Sequence, residues 1–271
     1  MKKFLFISSF LIIFPLFGSG SGCGSLLSED GSQEGVCEHA HIDANDKASL
    51  QRGAKLYMNY CYGCHSLKYA RYKRVADDLE IPYDIFESNL MFGDAKIGDL
   101  MNIGMQDKDA KVWFGESPPD LTLEVALRGP DWVYSYLKSF YSDSSRPLGT
   151  NNKVYENVGM PNVLIDLQGE QQSVCKPTPT LAKNGGLKQD PLTGELLTEE
   201  KCGFLEVKAG TGSLNKEEFD QSMADLTNFL AYMSDPIKEK REYIGKYVIL
   251  YLLILLALSY LLYREFKKDI H

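Results

Sequence analysis

Cys61-Tyr62-Gly63-Cys64-His65 is the stretch on which the reading of this 271-residue chain turns. Residues three apart on a helical turn share a face, so two thiols at this spacing reach the two vinyl groups of one porphyrin. The histidine that follows is carried beneath the iron as its proximal ligand. The C-x-x-C-H pattern thus predicts one covalently attached haem c. With six cysteines and four histidines in the chain, chance supplies the pattern only about 0.002 times. A structural zinc site wants a fourth ligand and usually a second C-x-x-C, and a thioredoxin-like pair wants a βαβ setting. The sequence provides neither.

Upstream of the motif, Leu50, Ala54, Tyr57 and Cys61 recur at helical steps, with Asp46 or Ser49 as the cap, so the motif ends a helix that begins at Asp46. Downstream, residues 81–129 are rich in Gly, Pro and Asp and predict short helices joined by loops. Trp132 to Tyr141 has aromatics at helical spacing. Residues 176–211 are too punctuated by Pro and Gly for a long helix and predict a surface excursion, with a hairpin around Asp190–Gly194. Phe219, Met223, Leu226, Phe229, Leu230 and Met233 form the apolar face of a helix that ends before Pro236 and leads through a charged linker toward the C-terminus.

The two ends locate the chain. Met1-Lys2-Lys3, an apolar run from Phe4 to Phe17 and the small residues Gly18 to Gly22 have the layout of a bacterial secretory signal peptide, assigned to residues 1–22. Tyr247 to Tyr263 carries no charge, and counting from Ile244 gives about 20 residues, enough to span a bilayer. An exported N-terminus followed by one stop-transfer helix predicts a periplasmic domain over 23–243, a transmembrane helix over 244–263 and a cytoplasmic tail over 264–271, single-pass in a bacterial inner membrane. Net charge is −8, and −10 without Lys2 and Lys3, which argues against nucleic acid as a partner. An acidic exterior steers a basic protein toward it and equally serves solubility.

A haem iron with one histidine has a second axial position, and a methionine there marks an electron carrier. Met58, Met223 and Met233 sit on helix faces and read as core. Met91, Met101, Met105 and Met160 remain. Met160 leads, because Pro161 biases it to an extended backbone and Gly159 permits close approach. Met101 and Met105 follow, with plain core packing as the alternative.

From Ile42 to His271 the chain resembles the cytochrome c1 family. The resemblance is carried by Ser49–Ala54 through Asn59-Tyr60-Cys61 and Cys64-His65-Ser66-Leu67, by Pro118-Pro119-Asp120-Leu121-Thr122, by Gly159-Met160-Pro161, by Asp225–Met233 and by the single C-terminal anchor. It implies a mainly α, cytochrome c-type haem domain with an inserted loop region, and Met160 as sixth ligand. It also implies Arg128 as partner of a haem propionate, against a surface ion pair as the alternative; Trp132 is placed as a wall of the same edge, with core packing as an equal alternative. The helix of Gly53 and Tyr57 should cross that of Phe229 and Tyr232, with Gly53 allowing close approach. The implied function is electron transfer from a Rieske iron-sulfur protein to a cytochrome c acceptor, within a dimeric complex that includes cytochrome b and oxidises ubiquinol. No catalytic acid, base or nucleophile is identified in this chain. Cys175 and Cys202 bracket the excursion, and a disulfide between them would contribute roughly 3 kcal/mol. Cys23 is open to lipidation, to pairing with Cys37 or to removal with the signal. Two other functions compete: an anchored c-type cytochrome serving an oxidase directly, which would purify without Rieske and cytochrome b proteins, and a haem-based gas sensor, which would bind carbon monoxide readily.

Overall fold

A computed structural model describes residues 22–180 and 187–268. The signal segment before Gly22 and the last three residues of the cytoplasmic tail lie outside the described residues. In chain order the elements are α1 (Lys47–Leu56), running on into a π-helical turn (Tyr57–Cys61), β1 (Leu67–Arg71), α2 (Tyr72–Asp78), α3 (Tyr83–Leu90), β2 (Leu100–Met101), α4 (Asp107–Phe114), α5 (Glu124–Arg128) and α6 (Pro130–Lys138). There follow β3 (Phe140–Ser142), β4 (Thr150–Asn152), α7 (Ile165–Gln168), β5 (Gln171–Pro179), β6 (Thr198–Val207), α8 (Lys216–Ser234) and α9 (Lys238–Lys268). The expectation of a mainly α fold holds in part. About 44% of the described residues are helical, and β1–β2, β3–β4 and β5–β6 form three antiparallel pairs.

The core is built on the crossing of α1 and α8. Asp46 caps α1 by accepting from the Ser49 N–H at 2.9 Å, and α8 starts in a capping box in which Asn215 and Glu218 satisfy each other's backbone N–H groups. Leu50, Ala54 and Tyr57 from one helix meet Met223, Leu226 and Phe229 from the other, all buried. A Cβ placed on Gly53 would lie 2.1 Å from the Asp225 carbonyl oxygen and 2.6 Å from Phe229 Cβ, so the backbones touch where only glycine fits. Polar groups seal the joint. Arg52 grips the nearly buried Asp225 carboxylate through Nε at 2.5 Å and a terminal nitrogen at 2.9 Å, while Asn228 bonds both the N–H and the carbonyl of Asp43.

Three predicted boundaries move. The helix expected over 132–141 stops at Lys138, and Phe140 and Tyr141 enter β3 to pair with Asn152 and Asn151. The excursion is a long hairpin, β5 against β6, tipped by the Asp190–Gly194 turn. The charged linker is itself helical, forming the first turns of α9.

Two disulfides are formed: Cys23 with Cys37, and Cys175 with Cys202. The second lies directly across the β5–β6 ladder, beside a bulge that leaves Gly203 unpaired at φ +115°. The Cys23–Cys37 loop straps onto this hairpin, with Gly31 against Phe204 and its carbonyl accepting from Lys201 Nζ at 2.7 Å.

Gly53→Ala is expected to cost about 3 kcal/mol or more, because the neighbour it meets is backbone. A shift below about 0.5 kcal/mol in denaturant unfolding would mean that the helices do not touch there. Replacing Cys175 and Cys202 by serine should cost about 3 kcal/mol and open the hairpin to limited proteolysis between residues 187 and 200; unchanged cleavage would contradict the bridge.

Candidate haem site

The π-helical turn sets up the motif. The N–H of Tyr62 reaches back to the Tyr57 carbonyl at 2.9 Å, after which the N–H groups of Cys64 and His65 both donate to the Cys61 carbonyl, at 3.0 and 2.9 Å. Cys61, Cys64 and His65 are thereby wound around a single oxygen. Neither cysteine is in a disulfide. Burial pushes the Cys61 thiol up to about 12 and raises that of the partly exposed Cys64. Both remain thiols at neutral pH.

His65 is buried, and its Nδ1 lies 2.7 Å from the Pro119 carbonyl oxygen. A carbonyl can only accept, so Nδ1 carries the proton and Nε2 is the nitrogen left with a lone pair. Burial lowers the His65 pKa, which favours the neutral, ligating form. The Pro119 carbonyl is positioned by the motif around it: Asp120 accepts from the N–H groups of Lys68 and Thr122, at 2.7 and 3.0 Å, and the Leu121 N–H donates to the Ser66 carbonyl at 3.0 Å. From the other side the buried Tyr57 hydroxyl donates to the His65 carbonyl at 2.6 Å. The roles of Tyr57 and Pro119 were not identified from the sequence. Nothing in the residues of Pro118–Thr122 says that a main-chain oxygen is what they deliver.

Cys61, Cys64, His65, Arg128 and Met160, all five residues singled out from the sequence, line one cavity of about 350 Å³. Its walls include Leu121, Val125, Trp132, Val133, Leu137, Leu226 and Leu230. The rival methionines lie elsewhere. Met101 is buried in the core opposite Leu67 in the β1–β2 pair, Met91 packs against that core, and Met105 lines a separate cleft. Gly159 does serve a close approach, though to protein: a Cβ there would meet the Phe114 carbonyl oxygen at 3.0 Å. Met160 Sδ accepts a hydrogen bond from the Tyr136 hydroxyl at 3.4 Å. Arg128 makes the i,i+4 ion pair with Glu124, through Nε at 2.9 Å, and also stacks over Trp132, 4.6 Å from the ring centroid, so ion pair and cavity wall coexist.

These residues fit a c-type haem. An apolar slot, two unpaired thiols, a neutral imidazole with its Nδ1 proton committed and a thioether face the same space. Among the described residues no group of three or more His, Cys, Asp or Glu side chains is placed to hold a metal ion.

The family model described as the Cytochrome C1 family matches residues 38–174 and 206–270. The chain belongs to the cytochrome c1 family. It is 47% identical over 271 residues to the cytochrome c1 of Allochromatium vinosum, covering all of both chains. It is 36% identical to the ammonia monooxygenase gamma subunit of Nitrosomonas europaea, over all of this chain and 99% of that protein. It is 25% identical to the cytochrome c1 of Rhodospirillum rubrum, over 92% and 91% of the two chains. Cytochrome c1 membership makes the chain a haem-bearing electron-transfer subunit of the bc1 oxidoreductase complex, whose partners include cytochrome b and the Rieske protein. The part of the chain between the two cytochrome c1 matches, residues 175–205, falls on the disulfide-bridged part of the β5–β6 hairpin. Helix α9, whose apolar stretch is not buried among the described residues, is long and apolar enough to cross a membrane, as the cytochrome c1 anchor requires.

Tyr57→Phe should destabilise the domain by about 1 to 3 kcal/mol, since it removes the hydroxyl that satisfies the buried His65 carbonyl. Equal unfolding midpoints for variant and parent would show that this bond carries nothing.

Proposed function

We propose that the chain is the subunit of a ubiquinol:cytochrome c reductase that accepts electrons from the Rieske protein and passes them to a cytochrome c. The observation that carries this reading is the meeting of Cys61, Cys64, His65 and Met160 in one apolar cavity, in a chain of this family.

Cys61 and Cys64 would hold one haem by thioethers, and His65, through Nε2, and Met160, through its sulfur, would be the ligands of its iron. When bound, the haem supplies a one-electron carrier whose potential its ligands and surroundings set. The chain's own residues do the rest. Pro119 holds the His65 ring in one tautomer. Leu226, Leu230, Val125 and Val133 keep water out. The soft thioether of Met160 would favour reduced iron and would leave no open position for small gases. Arg128 spends Nε on Glu124, and the two terminal nitrogens of its guanidinium suit a propionate carboxylate.

Residues 1–22 are read as the signal peptide, 23–243 as the haem domain in the periplasm, 244–263 as the membrane span and 264–271 as the cytoplasmic tail. The two disulfides support that side of the membrane, because such bridges persist in oxidising compartments. Cytochrome b would lie against the anchor within a dimeric complex.

The test is to purify the full chain from its membranes in mild detergent and assay covalent haem, co-purifying cytochrome b and Rieske proteins, and reduction of cytochrome c by ubiquinol. Met160→Ala should retain haem and partners while ubiquinol-dependent activity falls at least tenfold. Haem without those partners or that activity would reduce the chain to an anchored cytochrome of another pathway.

A further inference from the structure

The hydroxyl of Tyr136 donates to Met160 Sδ at 3.4 Å, and the ring that carries it is clamped. It stacks on Trp132, with centroids 5.1 Å apart and planes within 8°, and meets Phe140 edge-on at 5.0 Å. Trp132 is also met by the Arg128 guanidinium, 4.6 Å from its ring centroid, so Arg128 at the end of α5 and Trp132 and Tyr136 on α6 are linked by ring contacts on the wall of the cavity. The Tyr136 main chain is fixed as well, its carbonyl accepting from Asn152 Nδ2 at 2.9 Å. A side chain held this firmly does not orient its hydroxyl by accident of solvent. Burial raises the Tyr136 pKa, so the oxygen keeps its proton and remains a donor at any physiological pH.

We propose that Tyr136 is a positioning residue that raises the reduction potential of the bound haem by hydrogen-bonding the Met160 sulfur. The proposal rests on the reading of Met160 as sixth ligand. A proton donor on a thioether withdraws electron density from the lone pairs that sulfur offers a metal. Oxidised iron depends on that donation more than reduced iron does, so the bond favours the reduced state. The same bond holds the sulfur at one place in the cavity, which limits its loss from the iron.

The experiment compares parent, Tyr136→Phe, Tyr134→Phe and Met160→Leu chains in the purified complex, by redox titration and by the sulfur-to-iron absorption band of the oxidised protein at about 700 nm. Tyr136→Phe keeps the ring and its stack, and should shift the one-electron equilibrium three- to tenfold toward oxidation, about 28 to 59 mV lower, with the band retained but displaced. Tyr134, on the same helix, bonds Lys138 instead, and its loss should leave potential and band unchanged. An unaltered potential in Tyr136→Phe, or an equal fall in Tyr134→Phe, overturns the inference while Met160 remains the ligand if Met160→Leu has lost the band. A band that persists in Met160→Leu, or is absent from the parent, overturns the ligand assignment itself and this inference with it.

Discussion

Gly53 lets the backbone of α1 rest on the main chain of α8 at Asp225, and the helical walls of the cavity are placed by that contact. α1 carries the haem-attachment motif at its C-terminal end, and α8 contributes Leu226 and Leu230 to the opposing wall. α5 and α6, which bring Arg128, Trp132 and Tyr136, pack on α8 in turn. A shift along the crossing would therefore change the width of the slot. The bidentate Arg52–Asp225 pair fixes the register. Such a pair contributes little net stability over apolar packing, because desolvating the carboxylate offsets the attraction, but once Asp225 is buried a slipped register would strand its charge. Here the ion pair acts against alternative alignments more than it adds to the depth of the native one.

The same division of labour appears at His65. The ring is not aimed by its own backbone alone. It is held from Pro119, more than fifty residues further along the chain, and that carbonyl is in turn held by Asp120 bridging to Lys68, next to the attachment motif. The loop thus closes on itself through hydrogen bonds: the segment that orients the histidine is oriented by the strand that follows the histidine. Tyr57 completes the enclosure from the helix that precedes the motif. The constraints thus come from both sides of Cys61–His65: Pro119 fixes the tautomer of the imidazole, and Tyr57 fixes the main chain that carries it.

Most of the cavity was legible because its chemistry is concentrated in side chains that are scarce elsewhere. Two cysteines, one histidine and a Met-Pro step announce themselves, and the apolar faces of α1 and α8 follow a helical period. The departures occur where the deciding force is not periodic. Tyr57–Cys61 is a π-helical turn because Tyr62 bonds five residues back, and no side chain encodes that choice. β5 holds Pro177 and Pro179 and is largely exposed, so it lacks the alternation of a half-buried strand. It is a strand because Cys175 is bonded to Cys202 and because its prolines stand in a two-stranded ladder, where a missing donor is tolerated. Phe140 and Tyr141 continue the aromatic spacing of α6, but Asn152 draws the chain into β3 by donating to the Tyr136 carbonyl near the helix end and accepting from the Ser139 hydroxyl.

The junction between α8 and α9 sets how far this machinery stands from the bilayer. α8 ends at Ser234, and α9 begins at Lys238 after Asp235-Pro236-Ile237, with Arg241 bonded to Asp235 at 2.6 Å and Asn45 to Glu239 at 2.7 Å. The anchor is therefore fastened to the haem domain at its first turn and not hung from a flexible tether. The 31 residues of α9 rise about 46 Å at 1.5 Å per residue, against a hydrocarbon core of about 30 Å. The charge-free stretch from Tyr247 to Tyr263 accounts for most of the core thickness, and Lys246 reaches the interface by extending its side chain. The two charged turns before it extend α9 by roughly 10 Å between the apolar stretch and the domain.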